Sequence, residues 1–291
     1  MAAEHIRHWR VGDVDIARIV EVYGFEDDIC MLLPEATPEF VRQFGWLVPH
    51  FATAEGRMII SFQCFVLRSK GRISMIDTCI GNDRQREFAV FCNLQNSFLE
   101  DLRVAGFPPE QVTDVLCTHL HFDHVGWNTR LAEGKWVPTF PQARYLFGRR
   151  EWQHWKHLRD TNGYHHMDHL RDSIDPILAA GLEHFIDPDF RLTEEVSLIT
   201  TPGHTPGHVS VLIDSGGQRA VITGDLMHNP IQIAVPATEA RFDMDKAQAA
   251  RTRCDFVKRF CDSGTLVIGS HFAEPTAGRI VPDGNAWKLE V

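Results

Sequence analysis

Three histidines and one aspartate fall within six residues, in the run His119-Leu-His121-Phe-Asp123-His124. Imidazole nitrogens and a carboxylate are donors that zinc and related divalent ions take. The run follows Asp114-Val-Leu-Cys-Thr118, which reads as a buried strand. In extended backbone, residues i and i+2 point to the same side, so His119 and His121 can address one point. A turn directly after them would bring Asp123 and His124 round to a second point nearby. A solvated polar loop is the plain alternative, but so many donors at the end of a buried strand are costly without an ion.

The second half of the chain repeats the theme more sparsely. His204 lies in Thr200-Thr-Pro-Gly-His204-Thr, Asp225 in Ile222-Thr-Gly-Asp225-Leu, and His271 in Ile268-Gly-Ser-His271-Phe. Each follows a short apolar strand and a glycine, which permits a sharp turn at a sheet edge. Binding sites of layered α/β proteins gather at such strand ends. Taken alone, Asp225 reads better as a turn former after Gly224; the 119–124 cluster makes it a ligand candidate. The duplicated Thr201-Pro-Gly-His204-Thr-Pro-Gly-His208 leaves two histidines as alternatives, His204 at the loop mouth and His208 at the start of the next strand.

The elements that must position these side chains alternate along the chain. Val14–Val20 is strand-like, and 58–67 with 72–76 forms a hairpin about Ser69-Lys70-Gly71. An irregular, proline-bearing and aromatic arm lies at about 25–54. Leu94, Phe98, Leu102 and Ala105 form one helical face, closed by Gly106 and Pro108-Pro109. Strands at 114–118 and 143–147 follow, then a helix with Trp152 and Trp155, a polar His-rich stretch at 161–169, and a helix at 174–180. Short strands at 196–200, 208–213 and 220–223 precede a last helix, started by Asp245 and closed by Gly264, with Ala250, Cys254, Val257 and Cys261 as its stripe. A strand at 265–268 follows it. Alternation in both halves implies a layered α/β architecture. The absence of linkers, low-complexity tracts and solenoid repeats makes 1–291 a single domain in this reading.

H-x-H-x-D-H, T-P-G-H-T-P-G-H, T-G-D and G-S-H, in that order, resemble the metallo-β-lactamase superfamily of hydrolases, from about Ser61 to His271. Gly224-Asp-Leu-Met-His228, with Phe242-Asp-Met-Asp245 and a helix after it, is similar to the branch holding lactonases, dihydrocoumarin-type esterases and organophosphate hydrolases. The resemblance implies an αββα sandwich of two mixed β-sheets flanked by helices, with metals at one edge. It implies two divalent ions, zinc by type. His119, His121 and His204 would hold one, Asp123, His124 and His271 the other, and Asp225 would bridge them. This selects His204 over His208, which then becomes a supporting residue. Two ions about 3.5–4 Å apart lower the pKa of a shared water and clamp the reacting oxygens. A bridging hydroxide would attack a carbonyl or phosphoryl carbon or phosphorus centre, and Asp123 would pass a proton to the leaving oxygen. Asp77, at the end of the 73–76 strand, matches a family aspartate that holds the metal loops. His228 stands where related lactonases place a substrate-contacting tyrosine, and is the second catalytic candidate. Phe91, Trp127, Trp152, Ile231 and Phe272 are candidates for the substrate pocket wall.

Composition narrows the class further. The 291 residues carry 29 Lys+Arg against 39 Asp+Glu, a net charge of −10. That balance argues against binding a nucleic-acid backbone or an anionic membrane by charge. No apolar leader opens the chain, and the longest uncharged stretch, 196–213, holds two prolines and two glycines, which excludes a membrane helix. Seven cysteines without a C-x-x-C pair read as reduced thiols of a cytoplasmic protein. Histidine, at 16 residues, is the type in excess, and His154, His157, His165, His166 and His169 read as a solvated helical face or part of a lid. No G-x-S-x-G, P-loop, G-x-G-x-x-G or H-E-x-x-H is present, which removes serine-triad and nucleotide chemistries. The leading expectation is a dinuclear metal hydrolase opening a small ester, above all a lactone such as an acyl-homoserine lactone or an aryl lactone. Rivals are a phosphotriesterase, a mononuclear iron dioxygenase and a non-catalytic metal-bound scaffold. The aromatics of the arm make it a candidate surface for homodimer assembly.

Overall fold

The computed structural model describes residues 5–26, 32–163 and 167–291. Residues 27–31 of the arm, with Cys30, and residues 164–166, with His165 and His166, lie outside them. The chain divides into two compact units, Met1–Glu21 with Phe62–Thr193 and Val22–Ser61 with Glu194–Val291.

The first sheet has seven strands, β1 (Arg7–Val11), β2 (Val14–Glu26), β3 (Ile59–Ser69), β4 (Arg72–Ile76), β5 (Asp114–Cys117), β8 (Arg144–Gly148) and β9 (Glu183–Ile186), in that spatial order. The strands β6 (Thr129–Ala132) and β7 (Lys135–Pro138) form a separate hairpin. β3 and β4 pair antiparallel about the tight turn Lys70-Gly71, whereas β4, β5, β8 and β9 run parallel. Parallel strands are covered on both faces, which explains why every residue of β5 is buried. β5 carries one charged group in this core. The Asp114 carboxylate accepts two hydrogen bonds from Arg72 of β4, both 2.8 Å, and two from Arg144 of β8, at 2.9 and 2.6 Å. It ties three neighbouring strands together at the end of β5 remote from His119.

The expected helix at 94–105 begins only at Phe98 and runs to Val104, so Leu94 lies before it. Phe98 and Leu102 are fully buried, each contributing roughly 1.5–3 kcal/mol by burial. The helix Arg149–Asp160 buries Trp155 and Glu151. The segment at 174–180 is helical only from Asp175; Leu170–Ile174 before it is a wider π turn.

The second sheet has six strands in sequence order, β10 (Val196–Thr200), β11 (Val209–Ser215), β12 (Gln218–Ile222), β13 (Leu266–Ile268), β14 (Ala277–Asp283) and β15 (Ala286–Glu290). β12 and β13 are parallel and the other pairs antiparallel. The connection between β12 and β13 contains the helix Lys246–Phe260, capped by the Asp245 carboxylate accepting from Gln248 N at 2.9 Å. Its buried stripe is Ala249, Arg253, Phe256, Val257 and Phe260, which corrects the expected stripe through Ala250, Cys254 and Cys261. Apolar counting missed it because a buried arginine sits at its centre. The described part of the arm packs within its own unit: Leu33, Val41, Leu47 and Phe51 are core, and Phe40, Phe44 and Trp46 lie against them.

Both sheets are mixed and helices accompany each, so the chain has the expected α/β class. No helix among the described residues is long and apolar enough to cross a membrane.

Candidate functional site

The first unit places His119 and His121 directly after β5. His119 Nε2 and His121 Nδ1 lie 2.9 Å apart. The next residues form the one-turn helix Phe122–Val125, which carries Asp123 and His124, with His124 Nε2 3.6 Å from Asp123 Oδ2. The expected turn is therefore present, and the two pairs stand at successive points of one loop.

Asp77 organises that loop. Its carboxylate accepts from Thr118 N at 2.7 Å, from the Thr118 hydroxyl at 2.9 and 3.1 Å, and from His124 Nδ1 at 2.9 Å. A hydroxyl has one proton, and Thr118 spends it on Asp77. Thr118 Oγ1 must then accept from His119 Nδ1, 3.1 Å away. Both His119 and His124 thus carry a proton on Nδ1 and turn Nε2 toward a neighbouring donor, His121 Nδ1 and Asp123 Oδ2 respectively. The loop 77–81 interlocks with 124–127 through three backbone bonds, Thr78 N to His124 O at 2.8 Å, and Gly126 N to Cys79 O and Trp127 N to Thr78 O, both 2.7 Å. Gly126 is required by the closeness of this contact, since a Cβ there would lie 1.9 Å from the Ile80 carbonyl oxygen. Glu21 of β2 braces the same loop, accepting from Ile80 N, Gly81 N and Trp127 Nε1 at 2.7–3.0 Å. Burial pushes its carboxyl above the ordinary range despite those bonds. Arg84, fully buried, donates to Gly126 O and, at 2.6 Å, to Thr129 O, while its other arm meets Asp172 at 2.6 Å. Glu151 accepts from Leu120 N, between the two histidines, at 3.2 Å and from Trp155 Nε1 at 2.7 Å.

The second unit gathers its donors around Asp225. His271 Nε2 is 3.1 Å from Asp225 Oδ1, and His204 Nε2 and His228 Nε2 are 3.4 and 3.1 Å from Oδ2. All four residues are buried. His271 Nδ1 donates to the Ser61 carbonyl at 3.0 Å. His204 Nδ1 meets the Asp243 carboxylate at 3.1 Å. These two histidines repeat the pattern of the first unit, with Nδ1 committed to an oxygen and Nε2 turned toward another donor, here Asp225. Metal-bound histidines are held in this way by an outer acceptor. His208 does different work: its Nε2 accepts from Asp225 N at 2.8 Å, and its Nδ1 donates toward Thr201. It supports the turn that presents Asp225. His228 has its pKa lowered, first by burial and further by His204 and His271, with Asp225 opposing. Its Nδ1 has no hydrogen-bond partner among the described residues.

The aromatic candidates separate by environment. Phe91 packs against Phe62 (ring centroids 5.0 Å) and Phe122 (5.8 Å), beside Asp123. Trp127 is core, stacked on Phe98 at 5.3 Å. Trp152 is partly buried and stacks on Phe185. Ile231 and Phe272 are fully buried core side chains of the second unit. His154 and His157 lie on the helix Arg149–Asp160, and His169 is buried against Trp155.

Glu21, Arg84, Thr118, Glu151, Asp243 and Arg253 were not singled out from the sequence. One weak signal existed: Glu21 interrupts the apolar run of β2 with a charge.

The chain is similar to known proteins. An N-acyl homoserine lactonase of a Bacillus species is 32% identical over 114 residues, 39% of this chain and 38% of that protein. A lactonase of the same name from Bacillus thuringiensis is 24% identical over 184 residues, 62% of this chain and 65% of its own length. The matched segments thus span less than two thirds of these relatives. Among solved structures, AidC, a dizinc quorum-quenching lactonase in complex with its N-hexanoyl-L-homoserine product, superposes with a TM-score of 0.79 at 21% identity, covering 99% of this chain and 98% of that one. The family model of the metallo-β-lactamase superfamily matches residues 63–258, and the chain belongs to that superfamily.

Proposed function

We propose that this protein is a dinuclear metal-dependent hydrolase that opens a lactone, with an N-acyl homoserine lactone as the substrate class. His119, His121 and His204 would hold one ion, Asp123, His124 and His271 the second, and Asp225 both. The observation that carries the reading is the shared state of four histidines. His119, His124, His204 and His271 each commit Nδ1 to an oxygen acceptor and turn Nε2 toward another donor of the set. Histidine and carboxylate donors in this ratio suit zinc. The substrate class comes from the relatives named as lactonases and from the neighbour with a homoserine product.

Two such ions supply a water of lowered pKa and a Lewis acid for the carbonyl. The chain's own residues do the rest. Water oxygen adds to the acyl carbon, the ring C–O bond breaks, and the leaving oxygen needs a proton. Asp123, at the start of the helix Phe122–Val125 and partly exposed, is assigned to take the proton that the adding water gives up and deliver it to that oxygen. His228 is assigned to hydrogen-bond the substrate through the ring nitrogen that no described residue uses. Phe62, Phe91 and Phe122 offer an apolar face beside Asp123 for the acyl group. The six described cysteines are free thiols, which suits a reducing compartment such as the cytoplasm.

The test is turnover of a panel of acyl-homoserine lactones, aryl esters and phosphotriesters before and after chelation. Lactone opening that is lost on chelation, restored by zinc and abolished in His121→Ala supports the proposal. Preferential phosphotriester cleavage would replace the substrate class. Turnover indifferent to exhaustive chelation would overturn the reading altogether.

A further inference from the structure

His204 differs from the other three histidines in what stands behind its acceptor. Asp243 Oδ1 faces His204 Nδ1 at 3.1 Å, and Asp243 Oδ2 accepts from Arg253 Nη1 at 3.0 Å. Asp243 and Arg253 side chains are both 0% exposed. Arg253 Nε donates to the Pro236 carbonyl at 2.8 Å, and its Nη2 finds no partner among the described residues. The helix bearing Arg253 is seated directly on the turn that presents His204. Thr252 Oγ1 donates to Pro202 O at 2.7 Å, and Asp245 N and Met244 N donate to Gly203 O and His204 O at 2.9 and 3.0 Å. A Cβ on Gly203, whose φ is +136°, would lie 2.3 Å from Ala249 N, so no other residue allows this seating.

A fully buried ion pair is weak as a stabilising device, because well-packed apolar side chains of the same volume do as well or better. Its cost here is better explained by what the carboxylate does for His204. We propose that Arg253 and Asp243 are positioning residues that act through His204: Arg253 fixes the Asp243 carboxylate, which fixes a His204 proton on Nδ1 and turns Nε2, 3.4 Å from Asp225 Oδ2, inward as the ligand atom. This rests on His204 being a metal ligand. An ionised carboxylate can only accept, so the shared proton must sit on the ring.

The experiment uses the whole chain. The His204 tautomer is read by nitrogen NMR on metal-free protein at a pH where the ring is neutral, with His204→Gln for assignment. Zinc affinity is measured by chelator competition. The wild type is expected to hold the Nδ1-protonated form. Asp243→Ala should lose that form and bind zinc about 10–100-fold more weakly. Asp243→Asn sets an amide N–H against either the Arg253 N–H or the ring N–H, and should also weaken binding. The double variant Asp243→Asn with Arg253→Gln removes that donor–donor conflict, because the glutamine oxygen accepts from the asparagine amide. It should recover most of the loss, which a merely structural role for Arg253 does not predict. An Nε2-protonated ring in the wild type, or an unchanged tautomer in Asp243→Ala, overturns the proposal. So does a double variant weaker than Asp243→Asn. If the wild type binds no zinc, the metal assignment fails, while the tautomer still decides whether the relay exists.

Discussion

Replacing Asp77 with Asn removes the hub of the first donor cluster while changing almost no volume. The amide can keep its oxygen on Thr118 N, a 2.7 Å bond in the wild type. Its NH2 then takes the place of Oδ2, which accepts from the Thr118 hydroxyl and from His124 Nδ1, both at 2.9 Å. Two donors now face a donor in a buried position. A hydrogen bond to a charged group is worth about 1.5–3 kcal/mol. The Thr118 hydroxyl can turn to the retained oxygen, 3.1 Å away in the wild type, so the full loss falls on the His124 contact, with a smaller part on Thr118. The expected cost is about 3 kcal/mol, small enough beside an ordinary stability of about 5–15 kcal/mol to leave the variant folded. His124 relieves the conflict only by moving its proton to Nε2, which blocks its ligand atom. Zinc affinity should therefore fall about 10–100-fold as well. Urea unfolding of metal-free protein gives the first quantity, and competition with a chromophoric chelator gives the second. A variant that unfolds at the wild-type midpoint and binds zinc with unchanged affinity would refute the assignment of Asp77 as the hub.

Three other outcomes follow from the same geometry. Gly126→Ala would set a methyl group 1.9 Å from the Ile80 carbonyl oxygen, and is expected to cost about 3 kcal/mol or more, read as a fall in the urea midpoint. Asp172→Asn weakens the carboxylate shared by the buried Arg84 and Arg86, at 2.6 and 2.7 Å, and should destabilise by about 3–5 kcal/mol; a loss under about 1 kcal/mol would count against that pairing. For Asp114, burial raises the carboxyl but the bonds from Arg72, Thr113 and Arg144 outweigh it and hold it below its ordinary value. A carboxyl depressed in the folded state contributes its stability in full above about pH 4 and loses it as pH falls through the folded value. The stability gap between wild type and Asp114→Asn should thus narrow on acidification, and a gap that stays constant down to pH 2 would contradict it.

The parts of the site that were legible in the sequence are those where chemistry is packed into a few consecutive residues. His119, His121, Asp123 and His124 follow an apolar strand so closely that strand periodicity pairs the first two and a turn pairs the others, and the structure has both. Asp225 and His271 were legible as strand-end residues after glycine. The supporting residues were not, because their meaning lies in partners far along the chain. Asp243 is 39 residues from His204, Glu21 is 59 from Ile80, and Glu151 is 31 from Leu120. Asp243 enters the sequence reading only inside the run Phe242-Asp-Met-Asp245 before a helix, with no role of its own. The same blindness displaced the stripe of the last helix, since Arg253 counts as polar by type yet is fully buried by virtue of Asp243. Trp127 shows the converse. An aromatic next to the ligand run suggests a pocket wall, but the short loop turns its indole onto Phe98 and Glu21 in the core.

We propose that this chain holds two ions through seven named side chains and uses them to open a lactone. Chelator-stripped protein titrated with zinc, with bound metal and N-hexanoyl-homoserine lactone opening followed together, tests it most directly. Activity should appear with zinc and saturate at two equivalents per chain, and Asp225→Asn should lower both occupancy and turnover. Saturation below one equivalent, or full turnover in the stripped protein, would contradict it.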